Sequence, residues 1–355
     1  MSKKILHLAS LDKFIPGFID IIHQYFSNES HTVITFGDIK KYPYKETNEI
    51  FNLPRINSLR VLFKIITQLK RADQIILHGL FSPYLVAILC FMPWLHNKCQ
   101  WVIWGGDLYY HELSVRNLRY FIIEFFRKFL INRLDGFITY VEGDYHKAQQ
   151  WYNAKGQRYD CLMYKSNTYN GGDLDVAELT KKYADSDTKI SLLVGNSADA
   201  TNNHQRIFDK LVKLDVDKHV DKIYCPLSYG DSAYAKHIKQ LGEEMFGDKF
   251  HALMDFMSLD KYNQILDEVD IAVFAHNRQQ AMGNAINLLG RGKTLYMCAD
   301  TSSYALFTKL DINVFSLDNL ELKLQQPQVS LSNNEKIREY FSEDNLVRQL
   351  GKIFS

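Results

Sequence analysis

Short apolar runs alternate with longer amphipathic segments along the whole chain. In the first half, the apolar runs predict strands at residues 4–9, 32–36, 74–78, 100–104 and 136–140. Apolar positions spaced as on one face of a helix predict helices at residues 16–26, 58–71, 83–91, 115–133 and 143–151. Strands that alternate with helices indicate a parallel sheet with helices on both faces.

The alternation fades between residues 153 and 187 and then resumes. The later strands are predicted at residues 190–194, 222–226, 250–253, 271–274 and 294–297. The later helices are predicted at residues 202–214, 231–246, 258–268 and 283–290, and the tail 333–354 has a helical pattern. Because 355 residues are enough for two domains, we expect Rossmann-like domains at 1–170 and 188–330, joined by a linker. A C-terminal helix within 331–355 is expected to pack back on the first domain.

The composition is that of an ordinary globular protein and excludes several classes of function. Hydrophobic residues make up 46% of the chain, and the net charge of +1 gives no reason to expect a nucleic-acid partner. The five cysteines are scattered without a CxxC pair, which indicates reduced thiols in a cytosolic protein rather than disulfides or a zinc site. The most apolar stretch, residues 80–95, is shorter than a membrane span and predicts a buried helix.

The first polar motif follows the predicted strand 190–194, where a tight turn leads into a helical pattern. Its candidate ligand-binding residues are Gly195, Asn196, Ser197, Asn202 and His204. Backbone N–H groups at the start of a helix attract an anion, so one interpretation is a diphosphate site. The alternative is a tight turn in which Asn202 or Thr201 caps the helix.

A second polar loop follows the predicted strand 271–274. Its candidate residues are Arg278, Gln279, Gln280, Gly283 and Asn284. The guanidinium of Arg278 can bind a phosphate through two N–H groups, and Gly283 lets a ligand approach the backbone closely. Because both loops follow strands of one expected parallel sheet, we predict that they bind the same ligand. The alternative is a polar connection with a solvated arginine.

The loop after the predicted strand 100–104 contains Gly105, Gly106 and Asp107. The two glycines leave space around the Asp107 carboxylate, which predicts a base that removes a proton from an acceptor hydroxyl. His78 closes the preceding predicted strand and is the second candidate for that base. The alternatives are an aspartate that caps a helix and a histidine with a structural role.

The predicted helix 115–133 combines a heavily apolar face with many cationic residues. Its candidates for contact with a membrane or with the acceptor are Arg116, Arg119, Arg127 and Lys128. This composition is typical of a helix that lies on an anionic membrane surface. The alternative is a core helix with a solvated basic edge.

Several common nucleotide and hydrolase motifs are absent from the sequence. The chain has no Walker loop, no GxSxG, no HExxH and no Rossmann GxGxxG, and no DxD pair stands out at a strand end. We therefore expect backbone dipoles and Arg278, without a metal ion, to stabilise a bound diphosphate.

Taken in order along the chain, these motifs resemble one known family. They are His78-Gly79, Trp104-Gly105-Gly106-Asp107-Leu108-Tyr109, Leu193-Val194-Gly195-Asn196-Ser197 with Asn202 and His204, and Arg278-Gln279-Gln280 with Gly283, to which Pro226, Tyr229 and Tyr234 can be added. The chain resembles the bacterial 4-acetamido-4,6-dideoxygalactose (Fuc4NAc) transferases of enterobacterial common antigen synthesis, glycosyltransferase family 56. The resemblance extends roughly over residues 78–297.

The resemblance implies an α/β protein of the GT-B fold, with two facing, doubly wound Rossmann-like domains and a cleft between them. It implies an inverting, metal-independent glycosyltransferase without a cofactor. The donor would be dTDP-Fuc4NAc in the second domain, where Tyr229 and Asn202 would hold the base or the ribose. The acceptor would be an undecaprenyl-diphosphate-linked saccharide bound by the first domain. The enzyme would be a peripheral protein at the cytoplasmic face of the bacterial inner membrane.

Two loops depart from the family pattern. Ala281 and Asn284 stand where the family usually has a glycine-richer loop, and residues 228–231 also differ. Both loops are expected near the donor, so a different deoxyamino sugar or a different lipid-linked acceptor is an alternative. Two further alternatives are a retaining or non-Leloir GT-B enzyme and a non-catalytic nucleotide-sugar-binding partner of a membrane assembly.

Overall fold

The computed structural model describes residues 3–53, 59–185 and 188–355. The chain divides into two compact units. The first holds the chain up to Thr168 together with Glu343–Ser355, and the second holds Tyr169–Ser342. Residue 58, at which a helix is predicted to begin, and residues 186 and 187 of the predicted linker lie outside the described residues.

The first unit is built around a parallel sheet. Its strands are β1 (Ile5–Ser10), β2 (His31–Phe36), β3 (Ile50–Asn52), β4 (Gln74–His78), β5 (Cys99–Val102), β6 (Gly136–Ile138) and β7 (Gln157–Tyr159). Its first helices are α1 (Ile15–Tyr25), α2 (Leu59–Arg71), α3 (Pro83–Cys90), α4 (Tyr110–Leu113), α5 (Leu118–Ile131) and α6 (Glu142–Tyr152). In the part of the chain that the structure describes, the strand order is β3-β2-β1-β4-β5-β6-β7.

The second unit repeats this architecture. Its strands are β8 (Ile190–Val194), β9 (Val220–Pro226), β10 (Phe250–Leu253), β11 (Ile271–Phe274), β12 (Thr294–Met297) and β13 (Phe315–Ser316). Its helices are α7 (Val176–Ala184), α8 (His204–Leu211), α9 (Val216–His219), α10 (Ser232–Phe246), α11 (Leu259–Glu268), α12 (Met282–Gly290), α13 (Ser302–Lys309) and α14 (Pro327–Tyr340). The strands are parallel and lie in the order β10-β9-β8-β11-β12-β13.

The C-terminal tail forms two helices instead of the single helix that its pattern predicts. α14 belongs to the second unit, and the last helix, α15 (Glu343–Phe354), belongs to the first. In the first unit the side chain of Gln74 donates a 3.0 Å hydrogen bond to the carbonyl oxygen of Ile353. The ring of Phe354 lies 4.6 Å from that of His31, so α15 covers the amino end of β2.

The central strands are continuously apolar because helices cover both faces of each sheet. Ile75, Ile76 and Leu77 of β4 and all four residues of β11 have no exposed surface. Burying an aliphatic side chain of this size stabilises the fold by about 1.5–3 kcal/mol. These strands match the predicted ones closely because their apolar runs are unbroken.

In each sheet there are two adjacent central strands whose following connections run toward opposite edges of the sheet. These pairs are β1 with β4 and β8 with β11. At such a switch point the loops that leave the carboxyl ends of the two strands diverge and open a crevice, where open α/β sheets bind their ligands. The register pairs Ala9 with His78 in the first sheet and Val194 with Val273 in the second.

The sequence pattern misses short elements. β3, β7 and β13 contain three, three and two residues, which is too short for an alternating pattern to be recognised. The predicted linker 153–187 contains β7 and α7, and the two units meet in the sequence at Thr168 and Tyr169. The linker is therefore largely built into the two units.

Two predicted helices are shorter than their patterns. The predicted helix 202–214 is α8 flanked by 3-10 turns, because Asn203 takes a left-handed φ of 48° just before α8 begins. The predicted helix 115–133 begins at Leu118, because the side chain of Asn117 caps it by accepting a 2.9 Å hydrogen bond from the N–H of Tyr120.

The apolar stretch 80–95 is only partly buried, contrary to the prediction of a buried helix. Leu85 and Leu89 lie in the core, whereas Tyr84 and Phe91 are 72% and 74% exposed. In the described ranges, no helix combines the length and the apolar character needed to cross a membrane.

Candidate active site

The loops after β8 and β11 meet at the switch point of the second sheet. The side-chain amide of Gln280 donates to Oδ1 of Asn196 at 3.2 Å, and its Oε1 lies 2.8 Å from the hydroxyl oxygen of Thr201. The side chain of Asn203 donates to the carbonyl oxygen of Ala275 at 2.9 Å. The two polar motifs, which are far apart in the sequence, therefore form one cluster, which we call the donor cluster.

Asn202 lies at the centre of the donor cluster. Its Oδ1 accepts hydrogen bonds of 2.9 Å from the backbone N–H of Asn196 and from Nε2 of His276, and its Nδ2 donates to the Ser197 hydroxyl at 3.2 Å. Burial lowers the pKa of His276 to about 3, so the ring is neutral and can act as donor through Nε2. Asn202 is fully buried, and its side chain holds the turn in shape. It therefore does not make the expected contact with the base or the ribose. The N–H of Asn196 is likewise engaged within the turn and is unavailable to a phosphate.

Gly195 and His204 fit against each other at the base of the same turn. Gly195 has a φ of +66°, and a Cβ atom on it would lie 2.5 Å from Nε2 of His204. His204 is buried, and its Nδ1 lies 3.1 Å from the hydroxyl of Tyr234. Burial lowers the pKa of His204 to about 4, so its ring is neutral. The sequence suggests that His204 contacts a ligand. In the structure its buried ring packs against Gly195 and supports the turn instead.

Arg278 is held at the edge of the donor cluster by Asp199. Its Nη2 lies 3.6 Å from Oδ2 of Asp199, and its Nη1 donates to the carbonyl oxygen of Gln279 at 3.3 Å. Burial raises the pKa of Asp199, but hydrogen bonds from Thr201 and the charge of Arg278 outweigh it and leave the pKa below its usual range. The ionised carboxylate therefore orients the guanidinium before any ligand binds.

The helices α8 and α12 both begin without a side-chain cap at this switch point. Asn203 precedes α8 with a φ of 48°, and Ala281 precedes α12 with a φ of 58°. Neither residue accepts a hydrogen bond from the first turn of its helix through its side chain. Unsatisfied N–H groups at a helix start carry a partial positive charge. Two such starts lie beside Arg278, and helix starts of this kind attract anions.

The remaining predicted donor residues line the cluster at its border. The hydroxyl of Tyr229 accepts a 3.0 Å hydrogen bond from Nδ2 of Asn196, and Asn284 donates to the hydroxyl of Tyr262 at 3.0 Å. Gly283 is half-buried in the first turn of α12. Sequence reasoning missed Tyr262 and His276. His276 stands two residues after the end of β11, and that position near a strand end is the signal that could have revealed it.

In the first unit, both carboxylate oxygens of Asp107 are engaged in hydrogen bonds. Its Oδ2 accepts from the N–H of Leu80 at 2.8 Å and from Nε1 of Trp101 at 2.7 Å. Its Oδ1 accepts from the N–H groups of Trp104 at 3.0 Å and Leu108 at 2.9 Å. Asp107 is 2% exposed, and burial raises its pKa against the opposing effects of the nearby Arg127 charge and these hydrogen bonds. This geometry favours a structural role over the predicted role as a base.

His78 is also buried and has partners at both ring nitrogens. Its Nδ1 lies 2.7 Å from the hydroxyl of Tyr164, and its Nε2 lies 3.1 Å from Nδ1 of His7. Nε2 of His7 lies 3.0 Å from Nδ1 of His31, so three histidines form one chain. Burial lowers the pKa of His78 to about 3. His78 therefore does not present a free nitrogen to an acceptor.

Arg127 lies inside the first unit and does not face a membrane. It donates to the carbonyl oxygens of Leu80 at 2.8 Å and Asp107 at 2.6 Å, and it pairs with Glu124 at 2.9 Å. The prediction that Arg127 contacts a membrane or an acceptor is wrong, because the residue is 2% exposed. The other three cations of that prediction, Arg116, Arg119 and Lys128, are exposed.

Aromatic side chains gather at the carboxyl end of the first sheet. The ring of Trp104 lies 5.5 Å from those of Phe14 and Phe81 and 5.3 Å from that of Tyr164. Nε1 of Trp104 donates a 2.8 Å hydrogen bond to the hydroxyl of Tyr164. We call these four residues the aromatic cluster; its members follow β1, β4, β5 and β7 in the sequence.

A family model described as 4-alpha-L-fucosyltransferase, glycosyl transferase group 56, matches residues 17–336. The chain belongs to glycosyl transferase group 56. The protein is therefore a glycosyltransferase, and the membership confirms the family that the motifs indicate. The finer expectations about donor, acceptor and pathway are taken up below as proposals.

Solved structures show the fold of this group 56 protein. Anabaena Alr3699/HepE in complex with UDP and glucose is 12% identical, with 99% of both chains covered and a TM-score of 0.65. WaaG, a glycosyltransferase involved in lipopolysaccharide biosynthesis, is 13% identical, covers 99% of this chain and 98% of its own, and has a TM-score of 0.62. A glycosyltransferase from Rickettsia africae is 12% identical over 99% of this chain and 98% of its own, with a TM-score of 0.61. The predicted α/β fold of the GT-B type, with two Rossmann-like domains, is confirmed.

An apolar face of α5 in this glycosyltransferase is uncovered by the rest of the first unit. Leu118, Phe121, Ile122 and Phe125 are each more than half exposed. Arg119 and Lys128 on the same helix are also exposed. The predicted apolar face exists, but most of its first two turns is exposed, whereas Leu130 and Ile131 near the end of the helix are buried in the core.

Proposed function

We propose that the enzyme transfers the deoxyamino sugar Fuc4NAc from a dTDP-linked donor to an undecaprenyl-diphosphate-linked saccharide. The transfer inverts the anomeric carbon and uses no metal ion. The observation that carries the donor half of this proposal is the pair of uncapped helix starts, α8 and α12, beside Arg278. The matching family description names a fucosyl group, and fucose and Fuc4NAc are both 6-deoxy sugars.

The donor cluster suits the chemistry of a leaving diphosphate. As the bond between the anomeric carbon and the diphosphate oxygen breaks, the diphosphate leaves with the bonding electrons and gains negative charge. The N–H groups at the start of α12 and the guanidinium of Arg278 stabilise this charge more strongly than that of the bound donor. Because Asp199 already orients Arg278, little reorganisation is needed when the charge develops.

Tyr229 is the residue we assign to the nucleoside. It is 49% exposed, while its hydroxyl is anchored by Nδ2 of Asn196 at 3.0 Å. Burial raises the pKa of Tyr229, so the phenol stays protonated at neutral pH. An anchored aromatic ring offers a stacking surface for thymine or a contact for the ribose.

The acceptor half of the proposal rests on the first unit. The apolar face of α5 together with Arg116, Arg119 and Lys128 matches the two requirements for peripheral binding to an anionic membrane. A saccharide on an undecaprenyl diphosphate is confined to such a surface. We therefore propose that α5 docks the enzyme at the cytoplasmic face of the inner membrane.

One observation favours a second donor. The HepE structure contains UDP, so a UDP-sugar is the alternative to a dTDP-sugar. Uracil and thymine differ by one methyl group, which a hydrophobic contact discriminates by about 1–3 kcal/mol.

Calorimetric titration with dTDP, UDP, GDP and ADP, each with and without EDTA, tests the donor. We expect dTDP to bind most tightly and EDTA to leave its affinity unchanged. A preference for UDP would move the proposal to the second donor, and a lack of binding by all four nucleotides would refute it. With the bound donor and a lipid-linked acceptor, the anomeric configuration of the product by NMR then separates inversion from retention.

A further inference from the structure

Asp12 combines a half-buried position at a strand end with an unsatisfied carboxylate oxygen. It follows β1 at the switch point of the first sheet, where Ala9 of β1 pairs with His78 of β4. Its Oδ1 is enclosed and has no hydrogen-bond partner, although the residue as a whole is only half-buried. An enclosed polar atom without a partner costs about 1–3 kcal/mol, and a charged one costs more. Such a cost is expected where function requires the group.

A hydrogen-bond chain leads from Trp104 into the buried histidines of the first unit. The indole N–H of Trp104 is a donor only, so the Tyr164 oxygen accepts from it. The Tyr164 oxygen also lies 2.7 Å from Nδ1 of His78, and either the phenol or the imidazole can donate that hydrogen bond. Tyr164 is therefore held at its oxygen by two partners.

These two hydrogen bonds fix the position of the Tyr164 ring within the aromatic cluster. Burial raises the pKa of Tyr164 well above its usual range, and the negative charges of Asp107 and Asp12 add to that rise. Asp12 lies in the loop after β1, two residues before Phe14, which is a member of the aromatic cluster.

The groups nearby that could accept a proton are otherwise engaged. Asp107 accepts four hydrogen bonds through its two oxygens, and His78 is bonded at both nitrogens. Asp12 lacks such partners at Oδ1. The residue as a whole is half-buried, so part of Asp12 is accessible at the carboxyl end of the first sheet.

We propose that Asp12 is the catalytic base of the transfer and that Tyr164, through its hydrogen bond to Trp104, is a positioning residue for the acceptor saccharide. This inference rests on the proposed function. The saccharide lies against the exposed ring surface of Phe81 and Trp104, as sugars commonly do on aromatic rings.

In the reacting step, the acceptor oxygen forms a bond to the anomeric carbon while the bond from that carbon to the diphosphate breaks. The acceptor proton moves to the Asp12 carboxylate, and the diphosphate keeps the electron pair. Asp12 then returns the proton to water. A positioned general base contributes about 10²–10⁴-fold to such a reaction.

The variants Asp12→Asn and Asp12→Ala test the assignment, and Asp20→Asn, an exposed aspartate on α1, is the matched control. We expect Asp12→Asn to lower kcat by at least about 10²-fold. Its melting temperature should equal or exceed that of the wild type, because the enclosed atom without a partner then belongs to a neutral side chain. Donor-nucleotide affinity should stay the same. We expect formate to restore part of the turnover of Asp12→Ala, and Asp20→Asn to behave as wild type.

The outcomes separate this inference from the proposed function. Wild-type kcat in Asp12→Asn would overturn the assignment while leaving the proposed function intact. A lower melting temperature in Asp12→Asn together with lost turnover would indicate a structural role and would also overturn it. If the wild type bound no nucleotide, both the proposed function and the assignment of the base would be refuted.

Tyr164→Phe should raise KM for the acceptor more than it lowers kcat. A larger effect on kcat than on KM would contradict the positioning role.

Discussion

The guanidinium of Arg127 on α5 donates a 2.6 Å hydrogen bond to the main-chain carbonyl oxygen of Asp107. A second hydrogen bond of 2.8 Å reaches the carbonyl oxygen of Leu80. One buried cation therefore ties together the loops after β4 and β5, which both contribute to the aromatic cluster. The helix proposed to meet the membrane and the loops proposed to meet the acceptor share this connection.

Replacing Arg127 should destabilise the first unit strongly. Arg127→Ala leaves two buried carbonyl groups and Glu124 without their cationic partner, and breaking a buried ionic arrangement costs about 3–5 kcal/mol. The free energy of unfolding in urea measures the loss. Arg119→Ala on the exposed side of the same helix should change that energy by less than about 0.5 kcal/mol. Equal effects of the two substitutions would contradict the buried role of Arg127.

Arg278→Ala should lower turnover without unfolding the protein. Loss of one donor that stabilises developing charge lowers kcat by about 10²–10³-fold. Because the Arg278 ion pair with Asp199 lies near the surface, the melting temperature should change little. Steady-state kinetics with the dTDP-sugar measure the effect, and Arg278→Lys should recover part of it. Wild-type kcat in Arg278→Ala would remove this residue from the mechanism.

Stability should fall as the pH falls from about 6.5. Burial lowers the pKa of His7 well below its usual value, that of His31 to about 4 and that of His78 to about 3. The folded state keeps these rings neutral while the unfolded chain binds protons below about pH 6.5, so each histidine removes about 1.4 kcal/mol per pH unit. Urea unfolding at pH 7, 6 and 5 measures the slope, which His31→Gln should reduce by one proton. A flat stability profile over this range would contradict the prediction.

Two backbone positions in the donor cluster should respond in opposite directions. Ala281 has a φ of 58°, a conformation that costs a residue with a Cβ about 1–2 kcal/mol, so Ala281→Gly should be neutral or stabilising. Gly195→Ala should be destabilising, because its Cβ would lie 2.5 Å from the buried His204 ring and its φ is +66°. Thermal unfolding of both variants, with dTDP titrations, tests this contrast. Similar shifts of the melting temperature in the two variants would show that these backbone conformations do not determine the stability of the two turns.

The apolar face of α5 should bind vesicles that contain anionic lipid. Replacing Phe121 and Phe125 with serine removes apolar contact, and replacing Arg116 or Lys128 with alanine should weaken binding by about 1 kcal/mol each. Co-sedimentation with phosphatidylglycerol vesicles at low and high salt measures both contributions. The basic variants should lose the salt dependence, whereas the serine variants should keep it. Binding that is unchanged in all of these variants would refute docking through α5.

The sequence alone predicts the central strands and most of the helices. β4, β8, β10, β11 and β12 begin and end at the predicted residues. In β4, β11 and β12 every residue is buried because both faces of these strands are covered, so the apolar signal is local and strong. The polar loops that follow the strands can also be predicted, because parallel strands bring their carboxyl ends to one edge of the sheet.

What those loop residues do is a different matter. In the sequence, Asp107 is a polar residue near a strand end and Arg127 is a cation on a basic helix, so both are candidates for contact with a substrate or a membrane. In the structure both are buried, and they are partners in one hydrogen-bond system. His204 and Asn202 are likewise turned inward in the second unit. Spacing along the chain indicates which loop a residue occupies but leaves open which way its side chain points.

By itself the sequence determined the alternation of strands and helices, two Rossmann-like domains, the family and the loops that carry polar chemistry. The tertiary structure decided which of those polar groups are satisfied internally and which lack a partner, such as Oδ1 of Asp12. The physical reason is that apolar periodicity is a property of neighbouring residues. Hydrogen-bond satisfaction instead depends on atoms that folding brings together from distant segments, as when Trp104, Tyr164 and His78 form one hydrogen-bonded chain.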